Sequence, residues 1–464
     1  MSSAANGRAQ PALRRVMRAT EYFTLAFGCI VGVGWVVVIQ EWLTAGGPGG
    51  AMLAYLVCGV ALVPVALAYG RLAQRMPEAA SEIAYTAAVF PSAVSFLAGW
   101  TMTFAYLVVC PYEAVAIGRL AAYMVPGLNT LELYEVGGYT VYLPHVVLSL
   151  GTTIVIAFIN YRGIRLSAHF QNWTTFGLLA VFFIFVPLGW WRGSYEQMQP
   201  LFKEGELSGV LLSTLAVLPI VPYFLMGFET VPKCAEEAAT GFQTRRFAPV
   251  MLLALAAGTL FYVAVIATVA MLYPWQELSK KDFATAIAFE HAFGSKALVW
   301  LLILGATLSL LKVFNGMFLA STRLLYAMGR RGLLGAGLGT VDERYQTPTV
   351  AIVLVCAITL LATFLGRAVL GPISEVGSLA GALGWLAACL ALSFGAGGQV
   401  TRGERALGLC GAAVSLALAG VTVRGFKWYQ WLALAAWAAL GLLLWTTRPA
   451  RPSAADPKAI ATDG

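Results

Sequence analysis

The first hydrophobic segment of the chain contains the stretch Gly28-Cys29-Ile30-Val31-Gly32-Val33-Gly34-Trp35. Its three glycines interrupt a run that must otherwise be helical to span a bilayer, and each glycine costs roughly 1 kcal/mol relative to alanine inside a helix. Amides and carbonyls freed at mid-membrane depth are tolerated only where they line a cavity and find a partner. The stretch therefore predicts a helix break that binds a small molecule or an ion.

The composition predicts an integral membrane protein with one membrane domain. Of its 464 residues, 59% are hydrophobic and 11% are charged, and the mean hydropathy is +0.77. Such a chain has too little polar surface for a water-soluble globule. The net charge of +8 comes from basic residues scattered in short loops, a pattern that does not favour nucleic-acid binding.

Twelve membrane spans are predicted from apolar runs of about 20 residues, the length that crosses a bilayer as a helix. Their ranges are 22–43, 50–70, 92–124, 141–160, 170–190, 209–230, 248–272, 297–328, 349–368, 373–397, 405–423 and 428–446. With the N-terminus in the cytoplasm, most loop cations, including Arg71, Arg162 and Lys233, fall on the cytoplasmic side. We therefore expect a multi-pass protein of a prokaryotic inner membrane with both termini in the cytoplasm.

The sixth span is interrupted as well. Its stretch PIVPYFLMGFETVP, residues 219–232, contains three prolines and a glycine, and proline removes backbone hydrogen bonds from a helix. Two interrupted spans, one opening each half of the chain, predict an inverted-repeat transporter with its site at the midplane of the membrane.

Four stretches, in the right order, resemble the amino acid–polyamine–organocation transporters. Gly32-Val33-Gly34-Trp35 is similar to the Gly-Ser-Gly-Ile turn of their first helix. Met226-Gly227-Phe228-Glu229, followed by Ala235-Glu236-Glu237, is similar to the signature of their sixth. Ser321 to Gly332 resembles the end of their eighth helix, and Gly70 to Tyr85 the stretch that joins their second and third. The likeness covers roughly residues 20–400.

The resemblance implies an all-α, leucine-transporter-like fold of twelve transmembrane helices. Helices one to five and six to ten would form inverted repeats, with helices one and six discontinuous. The implied organisation is a cytoplasmic tail over 1–19, a transport core over 20–400, helices eleven and twelve over 401–447, and a second cytoplasmic tail over 448–464.

The resemblance also implies where a substrate binds. Freed amides of helix one would hold a carboxylate and carbonyls of helix six an ammonium, in agreement with the partial charges at half-helix ends. Val33 replaces the usual small hydroxyl residue and Trp35 is bulkier than the usual aliphatic one, which leaves room for a substrate without a carboxylate. The implied substrate-binding residues are Gly28, Gly32, Val33, Gly34, Trp35, Phe224, Met226, Gly227 and Phe228.

Lys312 is an ionisable residue at membrane depth, where a charge costs roughly 2.5–3.5 kcal/mol on insertion scales. It lies eleven residues before Arg323, near the helix-eight hydroxyl that binds an ion in sodium-coupled relatives. Its ammonium could replace sodium there, and its deprotonation could couple transport to protons. A lysine that snorkels or pairs structurally is the alternative.

Three further polar residues are candidates for binding, coupling or gating. Glu113 could bind an amine, carry a proton, or be the counter-ion of Lys312. Glu229 could accept hydrogen bonds from freed amides or titrate during gating, and Asn315 is a further polar candidate. Glu236 and Glu237 are expected near Arg245 and Arg246, as a gate or as solvated charges.

The sequence therefore predicts a secondary active transporter for an amino acid, with proton coupling. A cationic amine or polyamine carrier, an exchanger, and a sensor that does not transport are the alternatives. An enzyme is not expected, because no HExxH motif, nucleophile elbow or phosphate loop is present. The seven cysteines are widely spaced, so neither a metal nor a cofactor is predicted.

Overall fold

A computed structural model describes residues 13–203 and 207–448, which are largely helical. The termini beyond these ranges, which hold most of both predicted tails, lie outside the described residues. A hairpin of β1 (Glu132–Val136) and β2 (Tyr139–Tyr142) joins two helices. In chain order the helices are α1 (Ala19–Ile30), α2 (Gly34–Val37), α3 (Ile39–Ala61), α4 (Val63–Arg75), α5 (Glu82–Ala87), α6 (Ser92–Leu107), α7 (Val109–Met124), α8 (Leu143–Tyr161), α9 (Ile164–Arg192), α10 (Leu207–Val217), α11 (Val221–Leu225), α12 (Thr230–Lys233), α13 (Phe247–Leu272), α14 (Trp275–Leu278), α15 (Ala284–Phe293), α16 (Lys296–Arg330), α17 (Thr349–Thr363), α18 (Leu370–Ser393), α19 (Arg402–Val423) and α20 (Trp428–Thr446).

Membrane-spanning helices account for most of this architecture. Within the described ranges, ten helical segments are long and apolar enough to cross a bilayer, and two shorter apolar helices, Ser208–Val217 and Thr349–Thr363, accompany them. The chain is therefore an all-α, multi-pass membrane protein.

The first span breaks where its glycines predict. α1 ends at Ile30 and α2 begins at Gly34, with Val31 in an extended conformation between them. The chain then turns at Gly47, whose φ of 69° favours glycine and whose Cβ, if present, would lie 2.9 Å from the Leu201 carbonyl oxygen. This turn separates the first span from the second.

The sixth segment is divided into three short helices, α10, α11 and α12. Pro222 lies in the first turn of α11, where its missing N–H leaves no hydrogen bond unmade. Gly227 separates α11 from α12 with a φ of 145°. The backbone is therefore non-helical at a second point inside the bundle.

α20, the last of the described helices, contacts α6 through a pair of tryptophans. The Trp100 and Trp437 rings stack with centroids 4.2 Å apart, and each indole N–H donates to the other residue's carbonyl, at 2.9 and 3.1 Å. A Cβ at Gly441 would lie 2.4 Å from Trp100 Nε1, so glycine is required there. Most of α20 is otherwise exposed.

Candidate functional site

The two helix breaks lie against each other. A Cβ at Gly227 would lie 2.7 Å from the Ile30 nitrogen and 2.8 Å from the carbonyl carbon of Cys29. A Cβ at Gly34 would lie 2.4 Å from the Phe224 ring, which therefore covers the start of α2. The breaks of the first and sixth spans thus form one site in the interior of the bundle.

Gly227→Ala is expected to abolish transport because the new methyl group would collide with the backbone of α1. Uptake into proteoliposomes measures the effect. Gly241→Ala is the matched control, since Gly241 also has a positive φ, 83°, but faces open space. Equal losses of uptake in the two variants would show that backbone strain, rather than contact between the breaks, is responsible.

Lys312 and Ser309 bind the carbonyls that the first break frees. The Lys312 ammonium donates to Gly28 O at 3.0 Å and also to Val31 O. Ser309 Oγ lies 2.8 Å from Val31 O and 2.9 Å from Gly32 O. Both side chains are completely buried. α16 therefore supplies a positive charge and a hydroxyl to the negative end of α1.

Tyr262 bridges the break from α13. Its hydroxyl donates to Ile30 O at 3.0 Å and accepts from the Gly32 N–H at 3.2 Å. A substrate carboxylate at Gly32 would have to share this amide with the tyrosine. The N–H groups of Val33 and Gly34 donate to no described residue.

Glu113 faces the same break from α7. Its Oε1 lies 3.2 Å from the position of a Cβ on Gly32, and its Oε2 is buried without a hydrogen-bond partner in residues 13–203 and 207–448. Among the described residues it forms no ion pair, with Lys312 or any other cation. The two charges are therefore not in direct contact in this conformation, and the role of Glu113 as the counter-ion of Lys312 stays a prediction.

Aromatic side chains close the site. Trp42 packs edge-on against Phe224, with centroids 5.0 Å apart, and Tyr223 packs against Tyr112 at 5.8 Å. Several of their polar atoms are buried without a hydrogen-bond partner in the part of the chain that the structure describes. These are Trp42 Nε1, Tyr55 OH, Tyr112 OH and Tyr223 OH, in addition to Glu113 Oε2.

Asn315 belongs to a buried amide network one turn from Lys312. Its Oδ1 accepts from Asn160 Nδ2 and Ser167 Oγ, both at 3.0 Å, and its Nδ2 donates to Gln171 Oε1 at 2.9 Å. The network ties α16 to α8 and α9. Asn315 is saturated by protein groups in this conformation, so its contacts are structural here.

Glu229 satisfies groups freed by the second break. Its Oε2 accepts from the Gly227 N–H at 2.9 Å, and its Oε1 accepts from Tyr106 OH at 3.1 Å. Four residues further on, Lys233 donates to Glu229 O and pairs with Glu82 without exposure to solvent. Lys233 is thus a buried structural cation, and its assignment to a loop was wrong.

A second set of charges connects α16 to the segment after α12. Arg323 Nη2 lies 2.6 Å from Glu237 Oε1, and both side chains are fully buried. Arg330 pairs with Glu236 nearer the surface. Glu236 and Glu237 therefore form ion pairs with arginines of α16, and not with Arg245 and Arg246, near which the sequence placed them.

Four residues of the site were not predicted as site residues from the sequence: Ser309, Tyr262, Glu82 and Lys233. Ser309 lies three residues before Lys312 and so on the same helix face, a signal that could have identified it. Lys233 follows Glu229 by four residues, which also indicates a shared face. Nothing in the sequence pairs Tyr262 with the first span.

A buried polar site between two broken helices of a multi-pass bundle defines a membrane transport protein. Comparison with known proteins gives the family: a family model described as amino acid permease matches residues 20–395. The chain belongs to the amino acid permease family, whose members are transporters and not enzymes.

Three curated relatives show the range of this family. The chain is 26% identical to the methylthioribose transporter of Bacillus subtilis, over 72% of each chain. It is 24% identical to the branched-chain amino acid permease BcaP of the same organism, over 74% of this chain and 73% of BcaP. It is 25% identical to the lysine-specific permease LysP of Escherichia coli, over 69% of this chain and 65% of LysP.

Proposed function

We propose that the protein transports an amino acid across the cytoplasmic membrane by alternating access, with the substrate held between the two helix breaks. The observation that carries the proposal is the group of unpartnered polar atoms around Glu113 and Gly34. Buried polar groups are normally hydrogen-bonded, so these atoms could form hydrogen bonds with a polar substrate. Its family relatives include amino acid permeases.

The proposed architecture has twelve spans with both termini in the cytoplasm. The two shorter apolar helices fall in the ranges predicted for spans six and nine, and counting them with the ten longer segments would give twelve. The breaks in spans one and six are the positions that a five-plus-five inverted repeat requires.

A thermal-shift screen of the purified protein tests the substrate class. Amino acids are expected to stabilise the folded state by mass action, and their decarboxylated amines are not. Stabilisation by amines alone would contradict a carboxylate site at the α2 amides. Stabilisation without uptake into proteoliposomes would favour a sensor over a transporter.

A cationic amine carrier is the second candidate, and the free Glu113 Oε2 favours it. One relative, 26% identical, is named for methylthioribose, a sugar derivative and not an amino acid. In this case the Glu113 carboxylate would pair with the substrate ammonium at the break.

Glu113→Gln distinguishes the two candidates. If the substrate is an amine, its apparent affinity should fall at least about tenfold, since losing a buried charge partner costs about 2–5 kcal/mol. Uptake of a neutral amino acid held by backbone groups should change little. Glu132→Gln, in the exposed hairpin, is the control. Competition against labelled substrate provides the measurement.

We further propose that Lys312 couples transport to protons. The supporting observation is that its ammonium already donates to two backbone carbonyls, so it provides the positive charge that a sodium ion would otherwise bring. Deprotonation would withdraw that charge and release α1 from α16.

A further inference from the structure

A basic pocket of about 400 Å³ lies between the start of α1 and the start of α9. Arg15, Arg18, Arg165 and His169 line it, and all four are exposed. Of the described residues that line it, Glu21 is the one carboxylate, and it accepts from the Arg18 N–H at 2.9 Å. The pocket therefore carries a net positive charge.

The arginines of this pocket have guanidinium donors available to bind a ligand. In residues 13–203 and 207–448, neither Arg18 nor Arg165 forms an ion pair. Arg15 uses one nitrogen, Nε, to donate to Ala238 O at 3.0 Å. His169 Nδ1 lies 2.7 Å from the Arg165 carbonyl oxygen, and its second ring nitrogen remains for another partner.

The pocket lies at the depth of lipid headgroups. α9 has 29 residues and is therefore about 43 Å long, whereas the hydrocarbon core is about 30 Å thick. Arg165 and His169 lie in its first two turns. Trp173, four residues beyond His169 on the same face, is 80% exposed, and Phe176 continues that face at 49%. Exposed tryptophan is typical of the membrane–water interface, so the pocket adjoins the lipid-facing side of α9.

We propose that this pocket binds the headgroup of an anionic phospholipid. Its phosphate would lie among Arg15, Arg18 and Arg165, because guanidinium groups match phosphate oxygens in charge and geometry. Its acyl chains would extend along Trp173 and Phe176. Basic pockets between transmembrane helices are a recognised way of holding such lipids. Because the headgroup would join α1 to α9, it would stabilise the conformation in which these helices pack together. The proposal does not depend on the transported substrate.

Reconstitution in nanodiscs tests the proposal. Thermal unfolding is followed in phosphatidylcholine alone and in mixtures with phosphatidylglycerol. The wild-type melting temperature is expected to rise with the anionic lipid by about 3 °C or more, since a ligand of the folded state stabilises it. Added sodium chloride should reduce this rise. The Arg18→Gln/Arg165→Gln double variant should lose more than half of it.

Arg71→Gln/Arg402→Gln is the matched control, because it removes two exposed arginines that do not line the pocket. It should keep the full rise. An equal loss in both double variants would overturn the proposal in favour of general surface charge. A wild-type melting temperature that does not change with phosphatidylglycerol would also overturn the proposal. If glycerol 3-phosphate raised the melting temperature in phosphatidylcholine nanodiscs, the ligand of the pocket would be a free phosphate ester and not a lipid.

Discussion

Lys312→Met is expected to lower uptake at least about tenfold, because two carbonyls at mid-membrane depth lose a charged donor worth about 1.5–3 kcal/mol. The variant should also lose the pH dependence of uptake, because methionine cannot bind or release the coupled proton. Methionine preserves most of the side-chain volume, so packing around Phe27, whose ring centroid lies 5.5 Å from Lys312 Nζ, is retained. Uptake is measured in proteoliposomes across a pH series, with and without an imposed proton gradient.

Lys296→Met is the control for this experiment, since Lys296 begins the same helix at an exposed position. It should leave both the rate and the pH profile unchanged. Lys312→Met uptake that keeps the wild-type pH dependence would exclude Lys312 as the coupling group. If sodium restores transport in the variant, the ammonium has replaced a cation site without carrying the proton.

Arg323→Met is expected to cost about 3–5 kcal/mol of stability, because it leaves the fully buried Glu237 carboxylate without its partner. Arg330→Met, which breaks a pair nearer the surface, should cost less than about 1 kcal/mol. The free energies of unfolding are compared by denaturant titration of the purified variants.

The double variant Arg323→Met/Glu237→Met isolates the cause of this effect. Removing both charges should recover most of the lost stability, since a buried pair replaced by apolar groups is often neutral. No recovery would show that the arginine contributes through packing alone. Equal costs for Arg323→Met and Arg330→Met would show that solvent reaches the inner pair.

The helix breaks were predictable because their causes are local. Glycine at 28, 32 and 34 and proline at 219 and 222 weaken a helix wherever they occur, so the positions of α1, α2 and α11 follow from the sequence. Apolar run length likewise predicts the spans, because bilayer thickness fixes the number of residues in a crossing helix.

The partners of the charged residues were not predictable in the same way. Glu237 pairs with Arg323, 86 residues away, and Lys233 pairs with Glu82, 151 residues away. Such contacts depend on which spans become neighbours, and hydropathy carries no information about that. Lys233 is predicted to be a loop cation because the sixth apolar run ends at residue 230, whereas in the structure it is the last residue of α12.

The contact between Trp100 and Trp437 also bears on the position of α20 in the bundle. α20 follows the other described helices in the chain, and few of its side chains are buried, so its depth in the bundle depends on a small number of contacts. Besides the tryptophan pair, Trp445 packs against Phe96 with ring centroids 4.9 Å apart, and Gln430 donates a hydrogen bond to Glu375. The two reciprocal indole hydrogen bonds fix the register of α20 against α6. A shift of one residue would move α20 by about 1.5 Å along its axis and would strain both hydrogen bonds. The depth of α20 is therefore set by a few polar and aromatic contacts with α6 and α18, and not by an extended buried face.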